Sequence, residues 1–599
     1  MRPAALVLTL VAGLVLSGCG IPDNTAVVPL RPGPSTGVAS GDDLSPTRNT
    51  RADTTDRAEF IENYLQAAAG DFAGATQRVK QFLSPAAAAN FKPAADITVV
   101  RRTEDPLVEP GSPVVTLNVR EVGTLGQKGV LEPSSDDRVI PYEFTLGGVE
   151  GQQGLFVIKA PPVLLLSDQA LDRFFAQRTI YFWNQDHTGL VPDLRYMPLS
   201  VPPEQQPTVI IDWLTSGPAP WLAGVVDPLP EGTKQIGNVP AISNGTLQIN
   251  LSDQAVPPDD PGALDRLQKQ LRWSLHPNLP GTLELAVEHQ QAQRYVGTDY
   301  LRQNSAYRGV GEPERFAVFN GQIRRLARSY NAGLPVPVVA PAANRNVRMA
   351  ALATSGSRSY AALVVDEPGG RQALRVGATR TGQHATLRRI GLAGSIGRPV
   401  WAKSPAGTDA GTVGLVTAGG QLYSFTANGT SPRRVEWPGG PRNITAVAVA
   451  PDARRVALLA GGNLYVAALS TTEDGSRLSP PRVVRTILRN LTAVDWGSES
   501  MLVVAGLQPE RHRVAMMDVS IDGASQTDRL ADLGSNPVTY LSTLPADPAR
   551  YETSGAVAYV LDGAAYDEVN PDRLDARDLA DPPADPPAGV LPGAPFFLN

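Results

Sequence analysis

The sequence contains a single cysteine, Cys19, in 599 residues. One cysteine cannot form a disulfide within the chain, so the fold does not depend on that cross-link. A catalytic cysteine needs a lowered pKa and a partner such as histidine or a helix N-terminus, and a structural cysteine is usually a small buried apolar residue. Neither role suits a position so close to the start of the chain, so the role of Cys19 must be sought in its neighbours.

Recognised catalytic and metal-binding motifs are also absent. The sequence has no GxSxG nucleophile elbow, no Walker A loop and no HExxH pair. No recognised metal-binding spacing relates any of the five histidines, His187, His276, His289, His384 and His512. We interpret His187 and His512 as surface residues, because both lie in predicted turns. Three adjacent carboxylate pairs are interpreted as solvated loop charge: Asp42-Asp43, Asp136-Asp137 and Asp259-Asp260. No catalytic residue and no metal ligand is therefore assigned.

Positive charge is in slight deficit, and long apolar runs are missing from most of the chain. Lysine and arginine number 53 against 59 acidic residues, which gives a formal net charge of −6. This mild acidity argues against a nucleic-acid partner. After the N-terminal segment no stretch approaches the roughly 18 uncharged apolar residues that a membrane helix requires. No later segment is therefore predicted to span a bilayer.

The N-terminal segment has the pattern of a secretory signal. Arg2 supplies a short positive region, and residues 4–16 are uncharged and mostly aliphatic. That run is too short for a mature membrane helix, which needs about 20 apolar residues. It fits the hydrophobic region of a signal peptide. We therefore predict that residues 1–18 form a signal peptide.

The residues before the cysteine explain its position. Leu16, Ser17, Gly18 and Cys19 resemble the lipobox of bacterial lipoproteins, an aliphatic residue and two small residues followed by cysteine. The resemblance implies an N-acylated S-diacylglycerol cysteine at Cys19 and a mature chain that begins there. Two or more acyl chains anchor a protein stably where one is marginal. The expected location is the outer face of the cytoplasmic membrane; the alternative is an ordinary signal peptide with an incidental cysteine.

The next segment predicts a tether followed by a first folded module. Residues 19–55 are rich in Pro, Gly, Ser, Thr and Asp and lack apolar periodicity, which is typical of a flexible tether. Asp56 and Glu59 then resemble a capping box ahead of a helical apolar stripe. After Pro85 the apolar period changes from helical spacing to two. Residues 56–166 are therefore predicted to form a small α+β module, loosely similar to NTF2-like or cystatin-like folds.

A second α+β module is predicted at 170–295. Strand-like segments at 178–183 and 244–252 flank a helical segment at 207–216, and a helix at 261–275 precedes another strand. The stretch YFWNQDHTGLVPDLRYMP, the helix ending in LTSGP and the strand NGTLQINLS resemble the GerMN domain. That family has no established catalytic set to carry across.

Residues 310–570 contain a repeat of short hairpins with Gly-, Asp- or Pro-bearing turns. The last three preceding strands begin near Ile444, Leu491 and Val538, a spacing of 47 residues. A period of about 40–50 residues with four strands per unit indicates propeller blades. We predict about six blades, with seven as the alternative. The early hairpin at 316–326 would complete one of them by joining the start of the propeller to its end.

The tail at 571–599 is rich in Pro and Asp and is predicted to be disordered. Its last apolar residues, Phe596, Phe597 and Leu598, are expected to be frayed rather than docked. The predicted fold class is therefore multidomain and β-rich, with two small α+β modules followed by an all-β propeller.

The whole order of segments resembles the actinobacterial lipoprotein LpqB family. The resemblance rests on LSGC, on AEFIENYLQAAAGDFAGATQRVKQFLSP, on the GerMN-like stretch and on the blade starts GRPVWAKS and LTAVDWGSE. It implies a non-catalytic accessory protein that binds the extracellular sensor region of an MtrB-like histidine kinase. Such a protein modulates two-component signalling in envelope homeostasis and division. No cofactor is implied beyond the covalent lipid on Cys19.

A second function class remains open at this point. An exported enzyme or solute binder would use the central channel of the propeller and would place His, Asp or Glu side chains, or a metal, there. A cell-wall binding protein is a further alternative. Trp401 and Trp496 follow predicted blade-start strands, and we expect them to pack between blades rather than to bind sugars.

Overall fold

The structure, a computed structural model, describes residues 48–598 except 277, 289, 308–312, 410, 430, 473–474, 551–554 and 569. The lipobox, the adjacent pair Asp42-Asp43 and His289 lie outside the described residues. The described residues all fall within one unit, Asp43–Asn599. Contacts between the modules are therefore contacts within that unit.

The N-terminal module has three helices followed by a seven-stranded sheet. The helices are α1 (Arg57–Tyr64), α2 (Ala75–Lys80) and α3 (Pro85–Asn90). The strands are β1 (Ile97–Arg102), β2 (Leu107–Val108), β3 (Val114–Leu125), β4 (Leu131–Pro133), β5 (Ile140–Val149), β6 (Gln152–Lys159) and β7 (Leu164–Ser167). The main order is β6-β5-β3-β1-β7, with β2 and β4 paired to β3. Helix α1 begins at the predicted cap, because the Asp56 carboxylate accepts the Glu59 amide at 2.9 Å.

The predicted tether ends too late in the sequence. Arg48 Nη1 donates to the carbonyl of Ala69 at 3.0 Å. The Arg51 guanidinium lies 3.8 Å from the centroid of the Phe156 ring and donates to the Leu155 carbonyl. A tether boundary at residue 55 is therefore wrong for residues 48–55, which pack on the first module. Their polar composition gave no sign of this, because the cation–π contact depends on a distant strand.

The second module contains two three-stranded sheets. Helix α4 (Asp168–Phe174) leads into β8 (Phe175–Asn184), β9 (Leu190–Pro198), α5 (Gln206–Thr215) and β10 (Val226–Asp227), and then come β11 (Thr246–Leu251), α6 (Ala263–Leu275), β12 (Thr282–Val287) and β13 (Gln293–Val296). The sheet orders are β10-β8-β9 and β11-β12-β13. Strands β11 and β12 are parallel, with α6 as their crossover. The predicted alternation of strands and helices is present.

The propeller begins with a hairpin and continues as five blades. The hairpin is β14 (Arg315–Phe319) and β15 (Gln322–Arg325), followed by the short β16 (Val338–Val339). Blade 1 has β17 (Val347–Ser355), β18 (Arg358–Glu367), β19 (Arg371–Arg380) and β21 (Arg388–Ile390), with β20 (His384–Ala385) paired to β16. Blade 2 has β22 (Val400–Ala402), β23 (Val413–Ala418), β24 (Gln421–Phe425) and β25 (Arg433–Arg434).

The remaining blades repeat this arrangement. Blade 3 has β26 (Ile444–Val449), β27 (Arg455–Ala460), β28 (Asn463–Thr472), β29 (Gly475–Leu478) and β30 (Arg482–Val484). Blade 4 has β31 (Arg489–Trp496), β32 (Met501–Gln508), β33 (Arg513–Ser520) and β34 (Gln526–Leu530). Blade 5 has β35 (Val538–Leu544), β36 (Ala556–Leu561), β37 (Ala564–Asp567) and β38 (Asn570–Arg573).

The first hairpin and the end of the chain together form blade 6, a three-stranded sheet of order β15-β14-β39. Strand β39 (Gly593–Phe597) pairs antiparallel with β14, which also pairs with β15. The Phe596 ring stacks on Phe316 with centroids 5.3 Å apart. The expectation of a disordered, frayed tail is therefore wrong for these residues. The Pro- and Asp-rich composition concealed an apolar strand whose partner lies at the other end of the propeller.

A repeated contact joins one blade to the next and explains the glycine pairs in the turns. The Ile444 amide donates to the Gly420 carbonyl at 3.0 Å, and the Leu491 amide donates to the Gly462 carbonyl at 3.1 Å. Both glycines have positive φ, near 75°. A Cβ on Gly420 would lie 2.9 Å from Oδ1 of Asn443. Glycine is required there because the turn needs both the left-handed backbone and the close approach.

Candidate functional site

The predicted lipid attachment at Cys19 stays a prediction, because Leu16 to Cys19 lie outside the described residues. Among the residues the structure does describe, no helix has the length and apolar character needed to cross a bilayer. The first described residues are held on helix α1: Asn49 Nδ2 lies 2.6 Å from Oδ1 of Asn63. A lipid on Cys19 would therefore be connected to the body through the N-terminal module.

The central channel of the propeller holds an ion pair between blades that are not neighbours. Arg398, just before β22 of blade 2, places Nη1 2.9 Å from Oδ2 of Asp495 in β31 of blade 4. The same carboxylate accepts the Thr543 amide of blade 5 at 3.0 Å. Burial lowers the pKa of Arg398, but attraction to Asp495 outweighs it and the net shift is upward. The ion pair and the bond from Thr543 together join blades 2, 4 and 5.

The space left in the channel is small. The cavity has a volume of about 40 Å³, and all six blades contribute to its wall, represented by Leu352, Arg398, Val449, Asp495, Thr543 and Phe597. Ligand pockets usually have volumes of about 300–1,000 Å³. A cavity of this size has room for a few water molecules. It does not accommodate a sugar or a peptide, which counts against the expectation of a substrate-binding channel.

One mouth of the channel lies under the second module. In each blade a loop connects the innermost strand to the second strand, and these loops surround this mouth. Three of the loops contact the hairpin formed by β8 and β9. The Tyr181 hydroxyl donates to Glu499 Oε2 of blade 4 at 2.6 Å. Asp186 lies 2.6 Å from Arg454 of blade 3, and a Cβ on Gly189 would lie 2.9 Å from the Pro405 ring of blade 2. The second module therefore caps this face.

An apolar cluster completes the cap. Its buried members are Tyr181, Leu190, Trp273, Tyr300 and Tyr307, and the partly buried Ala549 of the propeller packs against them. Trp273 Nε1 donates to the Tyr300 carbonyl at 3.1 Å, so the indole carries no unpaired donor into the cluster. Apolar burial and hydrogen bonding thus hold the second module on the propeller together.

The described histidines do not converge on a site. His187 bonds Asp227 at 2.6 Å in the β8–β9 turn, and His384 and His512 are exposed. Burial lowers the pKa of His276 to about 4, and its Nδ1 lies 3.0 Å from the Tyr300 hydroxyl. Within the part of the chain that the structure describes, no group of three or more His, Cys, Asp or Glu side chains is arranged to hold a metal ion.

The two tryptophans of the blade starts pack between blades, as predicted. Trp401 Nε1 donates to the Ala351 carbonyl of blade 1 at 3.2 Å. Trp496 Nε1 donates to the Ala448 carbonyl of blade 3 at 3.3 Å. Both side chains are buried. They do not form an exposed aromatic platform of the kind that sugars stack on.

A turn of the first module is wedged between the other two modules. The Gly129 carbonyl accepts the Tyr196 amide at 2.8 Å, and the Lys128 carbonyl accepts Nη1 of Arg195 at 3.1 Å. The Lys128 ammonium lies 2.7 Å from Asp212. These contacts join the β3–β4 turn to the second module at both backbone and side-chain level.

The same turn region also contacts the propeller. Arg482 Nη2 donates to the Leu131 carbonyl at 2.6 Å. Asp137 lies 3.5 Å from Arg489, although the two residues are 352 positions apart. The interpretation of Asp137 as purely solvated loop charge is therefore incomplete. The sequence shows no sign of this pair because the partner lies in another module.

A carboxylate cluster lies where the first module contacts blade 4. Arg101 Nε bonds Asp168 at 2.6 Å, and its Nη2 reaches the two carbonyls of turn 523–524 at 3.1 and 3.0 Å. Burial, together with repulsion from Asp168 and Asp522, raises the pKa of the partly exposed Asp172 to about 6, against the opposing effects of Arg101 and Ser525. Asp168 thus binds Arg101 directly, while Asp172 is influenced by the charges of Asp168, Arg101 and Asp522.

This arrangement predicts a pH dependence of stability. The folded pKa of Asp172, about 6, exceeds the unfolded value near 3.9. Its contribution is therefore present in full below about pH 4 and is lost as the pH rises through 6. We expect Asp172→Asn to raise the thermal unfolding midpoint at pH 7.5 and to reduce its change between pH 5 and 7.5. Asp299→Asn, at an exposed position, serves as the control. The prediction is refuted if the unfolding midpoint depends on pH in the same way in both variants and in the natural chain.

The opposite face of the propeller presents turns to solvent. Because neighbouring strands are antiparallel, the turns between the second and third strands of each blade lie on the face opposite the capped mouth. Residues 369–370, 461, 510–512 and 562–563, all in such turns, are exposed. Faces of this kind, built from loops on a rigid scaffold, are suited to protein binding. We call this surface the open face.

Three family models match consecutive parts of the chain. The model described as "Lipoprotein LpqB, N-terminal domain" matches residues 51–171, the model described as "Sporulation and spore germination" matches 179–292, and the model described as "Lipoprotein LpqB beta-propeller domain" matches 324–558. The order of the three matches is the order of the three modules in the structure.

Curated relatives are similar over nearly the whole chain. Lipoprotein LpqB of Cutibacterium acnes is 24% identical over 93% of this chain and 95% of its own length. Lipoprotein LpqB of Mycolicibacterium smegmatis is 24% identical over 98% of this chain and all of its own length. A solved structure of TolB from Acinetobacter baumannii is similar with a TM-score of 0.27 and 12% identity, over 58% of this chain and 74% of that chain.

Proposed function

The chain belongs to the LpqB lipoprotein family, and from this premise we propose a non-catalytic accessory role at the membrane. The protein is anchored by the lipid on Cys19 to the outer face of the cytoplasmic membrane. It binds the extracellular sensor region of an MtrB-like histidine kinase and modulates signalling in cell-envelope homeostasis and division.

One observation carries the non-catalytic part of the proposal. The channel, the place where a propeller enzyme would bind its substrate, holds the Arg398–Asp495 pair and a cavity of only about 40 Å³. Its capped mouth is covered by the second module through Tyr181 and Asp186. A channel enzyme or a solute binder would require the Arg398–Asp495 pair to separate so that the channel could widen.

The open face supports the binding part of the proposal. Exposed turns on a rigid scaffold are suited to protein binding, and the exposed turns at 369–370, 461, 510–512 and 562–563 lie together on this face. The capped face is already occupied by the second module. A kinase sensor domain would therefore meet the propeller through the open face, with the lipid keeping both proteins at the same membrane surface.

The test is site-specific crosslinking between full-length proteins. The lipidated chain and a full-length MtrB-like kinase are reconstituted together in nanodiscs, with a photoreactive residue at 461, 511 or 562 on the open face. Ile242 and Val296 serve as controls, because they are 47% and 68% exposed on the second module. We expect crosslinks from the open-face positions and not from the controls. Absence of crosslinks from every position, with unchanged kinase autophosphorylation, would refute the proposal.

A further inference from the structure

Basic residues are concentrated in one part of this acidic protein. From Arg371 to Arg434 the sequence contains one acidic residue, Asp409, and nine basic ones: Arg371, Arg375, Arg380, Arg388, Arg389, Arg398, Lys403, Arg433 and Arg434. The chain as a whole has a net charge of −6. The excess of positive charge between residues 371 and 434, which belong to blades 1 and 2, is therefore local and is not shared by the chain as a whole.

Several of these arginines lie on the outer strands of the two blades. Strands β21 and β25 are the outermost strands of blades 1 and 2, and Arg388, Arg389 and Arg434 on them are exposed. Arg375 of β19 stands directly opposite Arg389 in the antiparallel register. Like charges in that position destabilise a sheet, so the pair is not explained by fold stability. We call Arg371, Arg375, Arg388, Arg389 and Arg434 the arginine rim.

The rim already binds one carboxylate. Glu367 accepts two bonds of 2.8 Å from Nε and Nη2 of Arg389, the bidentate geometry that arginine forms with carboxylates. These bonds lower the pKa of Glu367, and the charges of Arg375 and Arg371 lower it further. Arg371 and Arg375 form no ion pair with any residue in the described part of the chain. Three guanidinium groups thus surround a single carboxylate, which leaves positive charge unbalanced.

The outer strand of another blade shows that a propeller blade does not need an outer strand that carries only positive charge. Strand β34 of blade 4 contains Asp528 beside Arg529. The Arg529 guanidinium is 3.0 Å from Asp518 and 2.7 Å from Glu568, so its charge is balanced. Charged side chains on edge strands do prevent edge-to-edge aggregation. That purpose does not require an opposed arginine pair, and blade 4 achieves it with mixed charge.

We propose that the arginine rim binds an acidic, extended segment of a partner protein. Strand β21 is hydrogen-bonded to β19 on one side only in the described structure, so its outer edge can accept a further strand. Carboxylates of that segment would bind Arg375, Arg371 and Arg434 in the manner of Glu367. The inference concerns this rim, goes beyond the proposed kinase interaction and does not require the partner to be the kinase.

The position of the rim favours a protein over anionic lipid as the partner. The N-terminal module, which leads to the tether, docks on blades 3 and 4 through Arg482 and through turn 523–524. In a ring of six blades, blade 1 lies opposite blade 4. The rim is therefore on the far side of the propeller from the module that is connected to the membrane.

The test measures binding of a labelled 20-residue poly-L-glutamate to the full-length protein in zwitterionic nanodiscs. The rim variant combines Arg375→Gln, Arg389→Gln and Arg434→Gln. The control combines Arg138→Gln, Arg302→Gln and Arg577→Gln, which removes the same charge from side chains that are 84%, 83% and 90% exposed. We expect saturable binding by the natural chain and the control, and at least about tenfold weaker binding by the rim variant, since three charge-assisted bonds to the peptide are lost.

Three results would overturn the proposal. These are absence of saturable binding to the natural chain, equal loss of affinity in the control, and rim-dependent binding to phosphatidylglycerol vesicles without binding to poly-L-glutamate. If the triple variant does not fold, as judged by its thermal unfolding, the single substitution Arg371→Gln replaces it. We expect a two- to threefold loss for that variant, and an unchanged affinity would count against the rim.

Discussion

Replacing Cys19 with alanine should release the protein from the membrane fraction into the medium or leave it as unprocessed precursor. The lipid proposed on the cysteine sulfur would contribute about 0.8 kcal/mol per buried CH₂ group, and alanine has no atom that could carry it. Among residues 48–598, as far as the structure describes them, no helix is long and apolar enough to cross the bilayer. The effect should approach complete relocation, measured by fractionation, immunoblotting and incorporation of labelled palmitate.

Ser17→Ala is the matched control for this variant. It exchanges one small residue of the lipobox for another and keeps the thiol, so processing and membrane attachment should be close to normal. The anchor prediction fails if Cys19→Ala remains fully membrane-bound and is processed as efficiently as Ser17→Ala.

Removing the last seven residues should abolish the stable fold of the propeller. The truncation deletes β39, exposes the edge of β14 and leaves Phe316 without the ring that stacks on it at 5.3 Å. Replacing even one buried phenylalanine with alanine costs about 3–5 kcal/mol, and whole domains are stable by only about 5–15 kcal/mol. We expect insoluble protein, or a thermal unfolding midpoint lower by more than about 10 °C.

Two further variants make this result interpretable. Removal of Asn599 alone keeps every residue of β39 and should leave the unfolding midpoint within about 1 °C. Phe596→Ala should produce an intermediate loss of about 3–5 kcal/mol in denaturant unfolding. A truncated chain that unfolds at the natural midpoint would show that β39 does not close the ring in solution.

The elements that could be predicted from the sequence are those with a local signal. Helix α1 has its capping aspartate and apolar stripe within one short segment, and the structure places its cap at Asp56 as expected. The blade hairpins have their turn glycines between two apolar runs, and the spacing of Ile444, Leu491 and Val538 indicated the blade period. Each of these signals involves residues that are neighbours in the chain, where propensity and turn chemistry act directly.

The features that could not be predicted depend on partners distant in the sequence. Strand β39 is apolar for only a few residues within a polar tail, and its role depends on β14 at the start of the propeller. Asp495 looks like any strand aspartate until the ring places Arg398 within 2.9 Å of it. Asp137 is likewise an ordinary loop residue until the first module docks beside Arg489.

The sequence by itself therefore determined the class of this protein: a predicted lipid anchor at Cys19, two α+β modules and a repeat of blades. These properties follow from short-range patterns, because signal recognition, helix and strand periodicity and turn formation all depend on adjacent residues. The tertiary structure alone decided that the ring closes through its last strand, that its channel is filled and capped, and that a rim of arginines stays exposed. Those properties depend on which distant surfaces pack together. The packing is selected by the burial of apolar area and of charged groups, and this burial exists only in the folded chain.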